Sequence, residues 1–147
     1  MTQAVDNTLE ITLSKEIRAP LKKVFEAWLD TEALAEFIRP AEGVTVPKAE
    51  VDAREGGSFL ILMQVGDQQL SHSGEYKIID RYETLAFTWN SANAGEGSLV
   101  TLTFEELSAD TTRILLHHSG LPSENSRNAH QVGWSKILDA LAHFSSS

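Results

Sequence analysis

The chain has 147 residues and no cysteine, so it is the length of one ordinary domain and offers no disulfide framework, thiol nucleophile or thiolate metal site. Its 21 acidic and 12 basic residues leave a net charge of −9, a field that repels phosphate backbones and anionic membranes and argues against nucleic-acid binding. No apolar run approaches the roughly 18–20 residues of a membrane span, and "MTQAVDNTLE" lacks the basic-then-apolar pattern of a secretory leader, so a cytoplasmic protein without membrane insertion is expected.

Residues 1–7 read as a flexible tail, 8–144 as a single domain and 145–147 as a C-terminal tail. "LEITLSKEIRA" alternates, with Leu9, Ile11 and Leu13 on one face of a half-buried strand. "PLKKVFEAWLD" starts a short helix at Pro20, and "TEALAEFI" continues as a second, capped by Thr31 and stopped by Arg39-Pro40. Then "KAEVDA", "SFLILMQV", "LSHSGEYKIID", "TLAFTWN", "SLVTLTFEEL" and "TTRILLHHS" are strand-like, separated by short turn signals that favour antiparallel hairpins. A long helix follows Pro122, beginning at Ser123 or Ser126.

This order is an α+β plan, in which an antiparallel sheet curls by its own twist and the last helix fills its concave side. On that helix His130, Trp134, Ile137, Leu141 and Phe144 form one seam with a polar tip at His130. Strand alternation predicts what faces the seam. Phe59, Ile61 and Met63 share one side, as do His72, Gly74, Tyr76 and Ile78, then Leu85, Phe87 and Trp89. Val100, Leu102 and Phe104 follow, and finally Ile114, Leu116 and His118. Such a lining suits either a solid core or the wall of an apolar pocket. Gly74 and Gly133 tip the balance towards a pocket, because each removes volume where a core wants filling.

Four stretches in order, "APLKKVFEAWLDTEALAEFIRP", "REGGSF", "GEYKIIDRYETLAFTW" and "HSGLPSENSRNAHQVGWSKILDALAHF", resemble the START-like helix-grip (SRPBCC) superfamily. More narrowly, they resemble the branch named for homologues of the activator of the heat-shock protein 90 ATPase. The resemblance spans about Leu9 to Phe144. It implies a curved antiparallel sheet of about seven strands wrapped around the C-terminal helix, with a cavity that binds apolar ligands in many members. The mouth is expected between the short helices, the sheet-edge loops and the final helix. Where many relatives carry adjacent tryptophans, this chain has Phe37-Ile38-Arg39-Pro40, which keeps the mouth apolar with a smaller lining.

Candidate chemistry is sparse. His72 and His118 are the inward polar groups, able to bond a ligand or move a proton; a histidine satisfied by backbone or water is the plainer alternative and is preferred. His117 and His118 are adjacent in a strand and point to opposite faces, so they do not grip one metal ion. Ser119 lacks the context of a nucleophile elbow, and Gly56-Gly57 lacks the helix and Lys-Ser/Thr of a phosphate loop. No catalytic residue, cofactor or metal ligand is assigned.

The expected activity is binding of a small apolar molecule in the cavity, and a homodimer is left open. The proposed ligand contacts are Trp28, Phe37, Phe59, Ile61, Met63 and His72, with Tyr76, Phe87, Trp89, His118 and Trp134 completing the wall. The alternative implied by the resemblance is a polyketide cyclase- or dehydratase-like enzyme using cavity histidines, with a chaperone-interacting module ranked last.

Overall fold

A computed structural model describes residues 9–92 and 94–146. The expected tail at residues 1–7 lies outside the described residues, as does Ser147. The elements are β1 (Ile11–Ile17), α1 (Leu21–Ala27), α2 (Thr31–Phe37), β2 (Val44–Val51), β3 (Ser58–Val65), β4 (Gln68–Asp80), β5 (Thr84–Ser91), β6 (Gly95–Ser108), β7 (Thr111–Ser119) and α3 (Glu124–Ser146).

The strands form one seven-stranded antiparallel sheet in the order β1-β7-β6-β5-β4-β3-β2. From β2 to β7 the neighbours are joined by hairpins, as their short separators require. The exception is β1, which pairs along its whole length with β7, from Ile11 opposite His118 to Ile17 opposite Thr112. The sheet curls around α3, whose inner face buries Gly133, Trp134, Ile137, Leu138 and Leu141. The expected helix-grip architecture is therefore present.

Several local expectations need correction. The cap of α2 is Asp30, whose carboxylate accepts from the amides of Glu32 at 2.9 Å and Ala33 at 3.3 Å. Thr31, expected in that role, is the first helical residue. Strand β2 starts at Val44, four residues before the expected Lys48, and runs through Pro47. An edge strand with a register break between Thr45 and Lys48 tolerates that proline, because no ladder hydrogen bond is asked of it. A second break, between Tyr76 and Ile78, turns Ile78 outward to 41% exposure, so it does not share the inner face of Tyr76. At the other end α3 continues through Ser145 and Ser146, where a tail was expected; Ser145 is buried.

The two halves of the concave face differ. Towards β1, β7 and β6 the space is filled by Leu102, Ile114, Leu116 and Leu141, all fully buried. Phe25 of α1 packs there on Phe104 and Tyr82 with ring centres 4.8 and 5.3 Å apart. Towards β2–β5 and the first half of α3 the filling is incomplete, and the site lies there.

Candidate functional site

Two gaps open on the inner face, and Trp89 borders both. The outer one has a volume of about 140 Å³. Its floor is Trp89 and Trp134, and its walls are Met63 and Val65 of β3, Leu70 and His72 of β4, and Ala129, His130, Gly133 and Ile137 of α3. Pro40, between α2 and β2, and Val44, at the start of β2, close the rim. The inner gap, about 10 Å³, lies among Trp28, Leu34, Ile38, Phe59, Ile61, Tyr76, Phe87 and Trp89. That is room for about one water molecule.

Of the residues expected to line one cavity, Met63, His72, Trp89 and Trp134 meet around the outer gap, while Trp28, Phe59, Ile61, Tyr76 and Phe87 surround the inner one. The aromatic rings explain the split. Phe59 lies 5.4 Å from Phe87 and 5.5 Å from Tyr76, centre to centre, so edge-to-face and tilted packing fills most of the inner space. Phe37 borders neither gap; it is fully buried 5.0 Å from the Trp28 ring, on the core side of α2.

His118 also borders neither gap. Its ring is fully buried behind Trp134, whose indole N–H donates to His118 Nδ1 at 2.9 Å. With Nδ1 accepting, the neutral ring carries its proton on Nε2, which donates to Ser98 Oγ at 2.9 Å; that hydroxyl donates to the Trp89 carbonyl at 2.6 Å. Burial, reinforced by His130 and His117, pushes the His118 pKa down to about 3. Both ring nitrogens are committed to holding two cavity tryptophans in place. The expected ligand contact at His118 is therefore corrected: it positions the wall from behind. Its neighbour His117 turns outward, as strand alternation demands, and meets Glu10 at 2.8 Å.

His72 stacks at 5.1 Å from Trp89, and burial lowers its pKa to about 4, against an opposing contribution from the Leu70 backbone. His130 sits across the gap from it on α3. Its Nδ1 lies 2.8 Å from the Ser126 carbonyl one helical turn back, and burial lowers its pKa too. Both histidines are thus neutral near pH 7. Burial likewise raises the Tyr76 phenol. Among the described residues, the buried indole N–H groups of Trp28 and Trp89 and Nδ1 of His72 have no hydrogen-bond partner.

Sequence reasoning missed Pro40, Val44, Val65, Leu70 and Ala129 as lining residues, and left His130, Gly133 and Ile137, which it placed on or beside the helix seam, out of the ligand contacts. The signals existed for most of them. Val65 continues the alternation of Phe59, Ile61 and Met63; Leu70 precedes His72 by two; His130 precedes Trp134 by one helical turn.

The Gly-Trp pair of α3 now has a physical explanation. A Cβ on Gly133 would lie 3.1 Å from Pro40 Cβ, so the glycine lets the rim approach the helix while Trp134 floors the gap. Gly74 is different: the space above it is taken by the Phe59 ring, 2.7 Å from where a methyl would stand, and by the Thr88 carbonyl, so it serves close packing and does not enlarge a pocket. Replacing Gly133 by Leu is expected to fill the outer gap at a cost of about 1–3 kcal/mol. The variant should unfold cooperatively yet lack the shift in tryptophan fluorescence that toluene is expected to produce in the parent. An unchanged shift would place the binding site elsewhere.

Fold and site together define a helix-grip protein with an apolar gap beneath the first half of its long helix. The chain belongs to the family described as Activator of Hsp90 ATPase homolog 1-like protein, which matches residues 18–145. Among solved structures it is similar to protein CV1439 from Chromobacterium violaceum, with 28% identity, a TM-score of 0.85 and coverage of 94% of this chain and 98% of that one. It is also similar to the AHSA1 protein of Silicibacter pomeroyi, at 25% identity and a TM-score of 0.78 over 91% of this chain and 95% of that one. CalU16 from Micromonospora echinospora shares 26% identity at a TM-score of 0.68, covering 93% of this chain and 76% of that one. Comparison with curated proteins gives no match. No helix among the described residues is long and apolar enough to cross a membrane.

Proposed function

We propose that this protein binds a small apolar molecule in the outer gap, in the cytoplasm, without a cofactor. The helix-grip fold commonly serves to bind hydrophobic ligands, and one observation carries the reading here: about 140 Å³ bounded mainly by aliphatic and aromatic side chains at the rim of an otherwise filled core. A cavity of about 150 Å³ is known to accept a benzene ring, so the ligand is of single-ring size. Multi-ring polyketide-like substrates, which the enzyme alternative requires, need far more room. That alternative also loses its best acid–base group, since both nitrogens of His118 are occupied.

Ligand that binds only the native state raises the melting temperature by mass action. Thermal unfolding in toluene-saturated buffer is expected to shift upward by a few degrees, and native mass spectrometry of freshly purified protein should show a bound small molecule. No adduct together with no shift would overturn the reading.

A further inference from the structure

On the reading that the outer gap holds a small ligand, we infer that this ligand is a neutral, single-ring molecule carrying an oxygen acceptor, as in a cyclic ketone, and that the acceptor takes the indole N–H of Trp89. The two tryptophans that floor the gap differ in one respect. The N–H of Trp134 is spent on His118 Nδ1 at 2.9 Å. That of Trp89, a residue only 3% exposed, is buried and has no partner among the described residues. An indole nitrogen donates and never accepts, so only an acceptor satisfies it. A buried donor left unpaired is costly, and a ligand oxygen supplies what is missing. Having no hydrogen bond to break, the Trp89 indole is free to turn its N–H onto a ligand, the kind of side-chain adjustment common in binding, whereas His118 holds Trp134 in place.

A second unpartnered group stands at the same gap. Nδ1 of His72 is buried on a ring that stacks 5.1 Å from Trp89. In one tautomer it donates to the free lone pair of the same ligand oxygen; in the other it accepts from a hydroxyl on the ligand. Either tautomer leaves the acceptor at Trp89 in place. The rest of the wall decides against an anionic acceptor. No Lys or Arg lines the gap, and its two histidines, His72 and His130, are both held neutral by burial. A carboxylate would be stripped of water there with no cation in return. Met63, Val44 and Ile137 suit an apolar ring instead.

Chemical-shift titrations of the isotopically labelled full chain at pH 7.5 test this with cyclopentanone and with methylenecyclopentane, its isostere bearing a methylene group in place of the oxygen. Both should bind. At saturation the Trp89 indole proton should move downfield with the ketone and not with the hydrocarbon. In Trp89→Phe, which keeps an aromatic ring and removes the donor, the ratio of ketone to hydrocarbon affinity should fall about tenfold, the worth of one well-placed hydrogen bond. Taking the ratio cancels the different hydration of the two probes. A Trp89 indole proton that cyclopentanone leaves in place, or a ratio unchanged in the variant, would overturn the inference, while hydrocarbon binding would leave the apolar site standing. So would a downfield move confined to Trp28, whose unpartnered N–H belongs to a residue of the inner gap, or cyclopentanecarboxylate binding more tightly than cyclopentanone. Failure of all three to bind would remove the binding function itself. Should Trp89→Phe not fold, the indole shift in the parent decides alone.

Discussion

Acidification from pH 7.5 to 5 is expected to destabilise this protein by about 3–4 kcal/mol, from His72 and His118. In the unfolded chain each histidine titrates near 6.5, whereas burial holds His118 down to about 3 and His72 to about 4 in the native state. Between those values the unfolded chain binds more protons, so stability rises with pH by up to about 1.4 kcal/mol per unit for each group. The contribution is complete above 6.5 and is lost as pH falls towards the native values. His130, also lowered, acts in the same direction. Urea unfolding at pH 7.5, 6 and 5 measures the slope. A flat profile would mean that these rings become charged without leaving the fold. The variant His118→Gln should show a shallower slope and a lower stability at neutral pH, because the Trp134 N–H and Ser98 hydroxyl lose a shared partner.

Gly74→Ala is expected to cost about 3 kcal/mol or more, a large part of the roughly 5–15 kcal/mol that holds a domain together. The new methyl would collide with the Thr88 carbonyl of β5 and lie 2.7 Å from two atoms of the Phe59 ring. Backbone cannot yield without breaking the β4–β5 ladder, and Phe59 is pinned by Tyr76, Phe87 and Trp89. Gly133→Ala is the contrast. Its methyl meets Pro40 alone, at 3.1 Å, and the helix gains propensity, so the net change should stay within about 1 kcal/mol. Urea midpoints of the two variants test the pair; a Gly74→Ala protein as stable as its parent would show that β4 shifts freely against β5.

Much of the fold was legible because alternation and turn residues act locally. The strands from Ser58 to Ser119 follow their period-two pattern, and the His130–Phe144 seam follows the helical one. The misread positions are those where a neighbour overrides the pattern. Ile78 faces out because a register break intervenes, and β2 extends back through Pro47 because an edge strand spares that residue its hydrogen bond.

For the site, the sequence by itself determined the chemistry of the wall: three tryptophans, inward strand residues that are mostly apolar, and a few histidines on a chain without cysteine. Only the tertiary structure decided where space remains and which histidine faces it. His72, His118 and His130 are equivalent as letters, yet His118 is sealed between Trp134 and Ser98, while His72 and His130 border the gap. Likewise two glycines with the same lack of a side chain do opposite things, Gly74 admitting the Phe59 ring and Gly133 admitting only the rim at Pro40. Packing is a property of which surfaces meet across the fold, and residues far apart in the chain acquire their partners only when the sheet closes on its helix.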